Sequence, residues 1–311
     1  MAQARFLDRA DIASGLRLER GALDLARRLP QLAVAAKDIA ATVIHGLHGR
    51  KRAGTGETFW QFRPFVHGED AADIDWRRSA RDDRTYVRER EWEAAHTVWL
   101  WLDRSPSMAF VSGLARASKV DRALVLGLAA ADLLVRAGER VGLLGLTRPY
   151  ATRGIVDRLA EALLEDERRH GEATGELPAG EPLTPRAQAI LLGDFLAPAQ
   201  DVAARIEALS ARGGVGHLVM IADPVEETFP FAGLVEFVDS DSPARLRIGQ
   251  AQGFRDSYVK LLAAHRDAIA SACRKHGWSF ALHRTDRPAT EALLALRMRL
   301  DGGAARLVGG A

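Results

Sequence analysis

Beyond residue 95 the chain repeats one pattern that few architectures accept. A short, unbroken apolar run is followed by a stretch with helical spacing, several times over. The runs lie at 97–102 ("TVWLWL"), 141–146 ("VGLLGL"), 188–193 ("QAILLG"), 215–222 ("VGHLVMIA") and 278–284. Helical stretches lie between and after them, at 118–137, 154–169, 199–212, 254–276 and at the end of the chain, and short strands are expected near 234–238 and 245–248. Strands that are apolar at every position are buried on both faces, as in a parallel sheet covered by helices on each side. The expected fold class is therefore α/β, a doubly wound, mainly parallel, Rossmann-like sheet. Ser118 is placed to cap the 118–137 helix and Gly138 to stop it. In such sheets ligands sit beyond the carboxyl ends of the strands. Asp103 and Asp194 each follow a strand directly, so they are candidates for one rim.

The first 94 residues read differently, as a smaller α+β segment ahead of a domain spanning 95–311. Helical spacing over 22–46 is interrupted near Pro30, and "ETFWQFRPFV" reads as a strand. Residues 67–93 are densely charged, with Trp76, Tyr86 and Trp92 among the charges. Opposite charges this close predict a network of ion pairs around Trp76 as an apolar anchor. Such a block serves either as a solvated clamp, to which exposed pairs add little, or as a docking face, where Trp and Arg are typical anchors.

Lys+Arg exceed Asp+Glu by only +2, which argues against a dedicated nucleic-acid binder. The basic stretch "HGRKRAG" reads as a solvated loop. No apolar run approaches the roughly 20 residues that span a bilayer. The N-terminus carries acids where a secretory signal would be apolar. With a single cysteine, Cys273, no internal disulfide can form, and a cytoplasmic location is expected. The nine histidines show no paired metal-ligand spacing.

Asp103-x-Ser105-x-Ser107 admits three chemical readings. The first is structural: Asp, Ser and Pro106 suit a turn leading into a helix. The second is an aspartyl-nucleophile phosphatase, but that chemistry needs an acid two residues on, where Ser105 stands. A serine hydrolase would need a histidine brought from afar. The third is a non-catalytic metal site. One carboxylate and two hydroxyls are hard oxygen donors, suited to magnesium, manganese or calcium. Asp194 adds a second carboxylate. Two neutral hydroxyls leave a divalent ion under-neutralised, and it then attracts an acidic side chain from a partner.

The Asp-x-Ser-x-Ser placement and the later Asp resemble the metal-ion-dependent adhesion site of a von Willebrand factor A domain. That family completes its site with a threonine from a middle loop. Here the loop is shortened ("GEATGELPAGEPLTP"), and Thr174 is the nearest candidate, ahead of Thr147 at another strand end. Residues 54–92 resemble the bacterial family called domain of unknown function fifty-eight, through Arg63, Phe65, Gly68, Glu69, Asp70, Ile74, Asp75, Trp76, Ser79, Ala80 and Arg81. Asp223, Pro224, Glu226 and Pro230 resemble its later part, as does "HRTDRP". The resemblance implies a von Willebrand factor A-like domain, and no catalytic activity follows from it. It also implies an adaptor that partners a MoxR-type AAA+ ATPase in assembling or maturing a client protein. Arg63, Asp70, Asp75, Trp76 and Arg81 are the expected docking or interdomain residues. A hydrolase or phosphatase, or a scaffold with a degenerate metal site, are the alternatives.

Overall fold

A computed structural model describes residues 2–6, 21–48, 59–66, 70, 74–81, 84–90, 96–170, 175–239 and 244–308. Two compact units emerge, one of residues 1–45 with 96–311 and one of residues 46–95.

The larger unit is built on five parallel strands: β4 (Thr97–Leu102), β5 (Arg140–Leu143), β6 (Gln188–Gly193), β7 (Val215–Ala222) and β10 (Ser279–Arg284). Their order across the sheet is β10-β7-β6-β4-β5, and every neighbouring pair is parallel. The chain starts at β4, steps to the edge strand β5, then reverses past β4 to β6. The switch point of this doubly wound sheet therefore lies between β4 and β6, where ligand crevices form.

Strand periodicity sends alternate side chains to two cores. Val98, Leu100, Leu102, Ile190, Leu192, Val219 and Ile221 face one side. They pack there against α3 (Lys119–Arg136), α4 (Ile155–His170) and α8 (Ala289–Val308). Ala189, Leu191, Leu218 and Met220 face the other, against α5 (Ala199–Ser210) and α7 (Arg255–Lys275), with Trp99 and Trp101 beside them. Helices on both faces explain why apolar residues run consecutively through β4, β6 and β7.

Helix α1 (Gly21–His48) joins the first core through Leu29, Ala33, Ala36, Ala40 and Val43, at helical spacing. The expected break at Pro30 does not occur. Pro30 lies on the exposed side of the helix, where the carbonyl it leaves unbonded can be hydrated, and the buried stripe runs on past it. This helix thus packs with the sheet rather than with a separate N-terminal segment of residues 1–94. Arg28 reinforces the contact by bonding both oxygens of Asp121 on α3 at 2.6 Å.

Between β7 and β10 the chain inserts α6 (Pro224–Thr228), β8 (Val235–Asp239) and β9 (Arg245–Ile248). With β1 (Ala2–Phe6) these strands form an antiparallel sheet of order β1-β8-β9. Its core is Phe229, Phe231, Val235 and Phe237, with Phe229 stacked on Phe237 and tilted against Tyr258. The run at 141–146 ends as a strand at Leu143, because Gly145 turns with φ +77° and the Thr147 hydroxyl accepts the Leu143 amide at 2.9 Å.

The smaller unit pairs β2 (Phe59–Pro64) with β3 (Tyr86–Arg90) antiparallel, and Trp76–Ser79 form a single helical turn, α2. Asp75 caps that turn by accepting the Arg78 amide at 3.0 Å. Ser79 donates to the Asp75 carbonyl and accepts the Tyr86 amide, tying the turn to the hairpin. The Arg78 guanidinium lies 4.5 Å from the Tyr86 ring centroid. Trp76, expected as the apolar anchor, is instead 66% exposed, and Arg78 makes the contact with the aromatic ring. Asp75 is committed to the backbone as a cap rather than to an ion pair.

Candidate functional site

Asp103 follows β4 at the switch point, its amide donating to the Leu192 carbonyl on β6 at 2.8 Å. That bond continues the β4–β6 ladder by one residue and seats the carboxylate beside the end of β6. Gly193 makes room for it: a Cβ there would stand 2.8 Å from both Asp103 Cβ and Oδ2. The Ser105 amide donates to Asp103 Oδ1 at 2.9 Å, turning the chain back over the carboxylate. Pro106 then opens a short 3-10 turn, Pro106–Ala109, which carries Ser107 inward.

The four expected metal ligands converge. Ser105 Oγ lies 3.1 Å from Ser107 Oγ, and Ser107 donates to Asp194 Oδ2 at 2.7 Å. All are buried: Asp103 is 0% exposed, Ser105 2%, Ser107 5% and Asp194 4%. Asp103 Oδ2, also buried, has no hydrogen-bond partner among the described residues. Burial, and then the charge of Asp194, raise the Asp103 carboxyl to about 7, although Ser105 and Lys119 pull the other way. A buried carboxylate with one bare oxygen is costly unless a proton or a cation meets it.

Thr174, the expected fifth ligand, lies outside the described residues. Thr147 is spent on the β5 turn. Of the expected docking residues, Trp76, Asp70 and Arg81 are exposed, Asp75 caps α2, and Arg63 pairs through its backbone with Val87.

Sequence reasoning missed the residue that most changes this site. Lys119, 1% exposed at the first position of α3, donates from Nζ to Asp194 Oδ2 at 2.9 Å and to Glu226 Oε1 at 2.7 Å. Burial opposes the ammonium's charge, but Asp194 and Glu226 outweigh it and hold the group protonated beyond the ordinary lysine range. Glu226 is in turn raised by burial, with Lys119 opposing. A signal for Glu226 was present: Asp223-Pro-Val-Glu226 is a capping box. The box forms, with the Val225 amide on Asp223 Oδ1 and the Asp223 amide on Glu226 Oε2. The second Asp223 oxygen accepts the Ser112 amide at 2.9 Å, fastening the loop after the serines to the end of β7. For Lys119 the only signal was a lysine directly after the Ser118 cap of an otherwise inward-facing helix.

Beside this cluster Arg104 turns away, bonding Asp166 and Glu167 on α4. The loop above carries two exposed apolar side chains, Val111 and Leu114. Chemically, Asp103, Ser105, Ser107 and Asp194 offer hard oxygens that fit a divalent ion, and the bare Asp103 Oδ2 is the clearest mark of that fit. The set contains only two carboxylates. Among the described residues, no grouping of three or more His, Cys, Asp or Glu is arranged to hold an ion.

Fold and site thus define a doubly wound α/β protein with a buried polar cluster at its switch point. By sequence the chain belongs to the family described as protein of unknown function DUF58, whose pattern matches residues 61–268. Similar proteins include an uncharacterized protein of Mycobacterium bovis, Mb1516, and its counterpart Rv1480 in Mycobacterium tuberculosis. Each is 27% identical over 305 residues, covering 86% of this chain and 88% of the relative. A crystal structure of the conserved hypothetical protein BatB from Bacteroides thetaiotaomicron is similar with a TM-score of 0.35 at 11% identity, covering 67% of this chain and 100% of that one. Among the described residues, no helix is long and apolar enough to cross a membrane.

Proposed function

We propose that this chain is a non-catalytic protein-binding adaptor of the von Willebrand factor A-like kind. It docks an acidic side chain of a partner at the Asp103 rim through a divalent cation, magnesium first and manganese or calcium next. The observation that carries this reading is the bare, buried Oδ2 of Asp103 beside two serine hydroxyls and Asp194. Asp103, Ser105 and Ser107 would hold the ion directly, and Asp194 would orient the Ser107 hydroxyl. The ion's role is to bridge these oxygens to the partner's carboxylate. Exposed Val111 and Leu114 on the loop above supply apolar contact around a polar centre, which suits an interface. The family resemblance makes a MoxR-type AAA+ ATPase the first partner to test, with assembly or maturation of a client complex as the role, in a cytoplasmic setting. Trp76 and Arg81 are further candidate contacts on the smaller unit.

Calorimetry with magnesium or manganese, comparing wild type with Asp103→Ala, tests the site. Binding heat in wild type that the variant loses is the expected outcome. Equal heats in both, or none in either, remove the metal from the account. Capture of the ATPase that chelator reverses is the matching test of the partner.

One observation favours a rival. Lys119 supplies the buried cation that an aspartyl phosphatase would hold over a phosphoryl group. Against it, the amine is already bonded to Asp194 and Glu226, and Ser105 stands where the leaving group's acid is required. Turnover of a generic phosphate ester, abolished by Asp103→Asn, would establish the rival instead.

A further inference from the structure

The geometry points to Lys119 as a tethered cation that competes with the divalent ion for the charge of Asp194 and so sets how tightly the site binds metal. This rests on the metal reading above but assigns a residue which that reading does not use. The Nζ of Lys119 and the Oγ of Ser107 donate to the same oxygen, Asp194 Oδ2. The ammonium is therefore one hydrogen bond away from a group the ion would also draw on. Three carboxylates, Asp103, Asp194 and Glu226, share the field of this one buried ammonium. An ion entering beside Asp103 meets a partly neutralised Asp194 and a fixed positive charge close by. Among groups this buried that repulsion is large, since Coulomb energies grow as the effective dielectric falls.

Lys119 also cannot swing clear into solvent. It is 1% exposed, starts α3 behind the Ser118 cap, and is held on its far side by Glu226. Glu226 is itself fixed, because its other oxygen accepts the Asp223 amide in the capping box. The lysine is thus built into the rim as a permanent counter-ion, and the divalent ion must bind against it.

The test measures manganese affinity of the full chain, by calorimetry and by loss of the free-ion paramagnetic resonance signal. Wild type is compared with Lys119→Gln and with the double variant Lys119→Gln/Glu226→Gln. The first variant removes the charge but keeps an amide able to donate to Asp194. The second removes one charge of each sign, so the net charge of the buried cluster stays that of wild type. Near-ultraviolet dichroism checks that each is folded. Both variants are expected to bind manganese at least tenfold more tightly than wild type. Binding by the variants with none by wild type also supports the inference, because the ammonium then excludes the ion altogether. In that case the metal-bridged function falls while the role of Lys119 stands. Wild-type binding that the folded variants match or weaken overturns the inference and leaves the metal reading intact. No binding by any folded form overturns both.

Discussion

Asp103 holds the sharpest single-residue consequence. In the unfolded chain its carboxyl has an ordinary value near 3.8, and in the folded chain it sits at about 7. Between those values folding takes up a proton. The contribution to stability is therefore full below pH 4 and is lost as pH rises through 7. For chelator-treated protein, urea denaturation should show stability falling between pH 4 and 7. Asp103→Asn should flatten that slope and raise stability at pH 8 by on the order of 2–4 kcal/mol, because each tenfold change in proton affinity is worth about 1.4 kcal/mol. A variant whose pH slope matches wild type would show that Asp103 is not the titrating group. Both Asp103 and Asp194 were legible from the sequence, because an acid directly after an apolar strand has nowhere to go but the sheet rim. Lys119 was not. Nothing in the spacing around residue 119 tells a lysine that snorkels to solvent from one held inward by two carboxylates, since one of those comes from a strand end 75 residues downstream.

At the scale of elements, α3 is the piece on which the site depends. It carries Lys119 at its start, packs across β4 and β6, and anchors the far edge of the sheet through Arg122, which donates to the Thr285 and Arg287 carbonyls after β10. Gly127 lets the helix approach closely, for a Cβ there would overlap the δ-methyls of Leu102 and press on Leu192. Those two residues directly precede Asp103 and Gly193. Gly127→Ala gains helix propensity yet should destabilise by about 1–3 kcal/mol through overpacking, read as a lower urea midpoint, and should weaken manganese binding as β4 is pushed out of line. An unchanged midpoint would mean that the helix has slack. Element types were readable from 97 onward because periodicity and length agree there. Strand β1 was not, since five residues of mixed character at a chain start carry no period, and its pairing with β8 spans most of the sequence. The 141–146 run overshot because its apolar character continues through a turn that Gly145 and Thr147 make.

For the whole molecule, two chemically distinct places stand out: the buried Asp103 cluster of the larger unit and the exposed Trp76 turn of the smaller one. Trp76 is exposed, while its neighbours Asp75, Arg78 and Ser79 build the local fold. The signature block therefore divides, with Asp75 and Ser79 building the local fold and Asp70, Trp76 and Arg81 left outward. Trp76→Ala should leave the unfolding free energy within about 0.5 kcal/mol of wild type, as surface changes do. It should cut capture of the ATPase partner by tenfold or more if the smaller unit docks there. Undiminished capture would confine docking to the Asp103 rim.

The reversal of the chain between β5 and β6 has a further consequence, in time. Asp103 leans on Leu192, and Ser107 on Asp194, so neither contact exists until β6 has been made. At roughly 5–20 residues per second the ribosome needs several seconds to cover that distance. During that interval the most apolar strand of the protein, β4, has β5 on one side and an open edge on the other. Fragments that end before residue 188 should thus be aggregation-prone, whereas extension past β7 should restore solubility. The order of synthesis thus holds this site open until β6 emerges, and β7 and β10 complete the sheet after it.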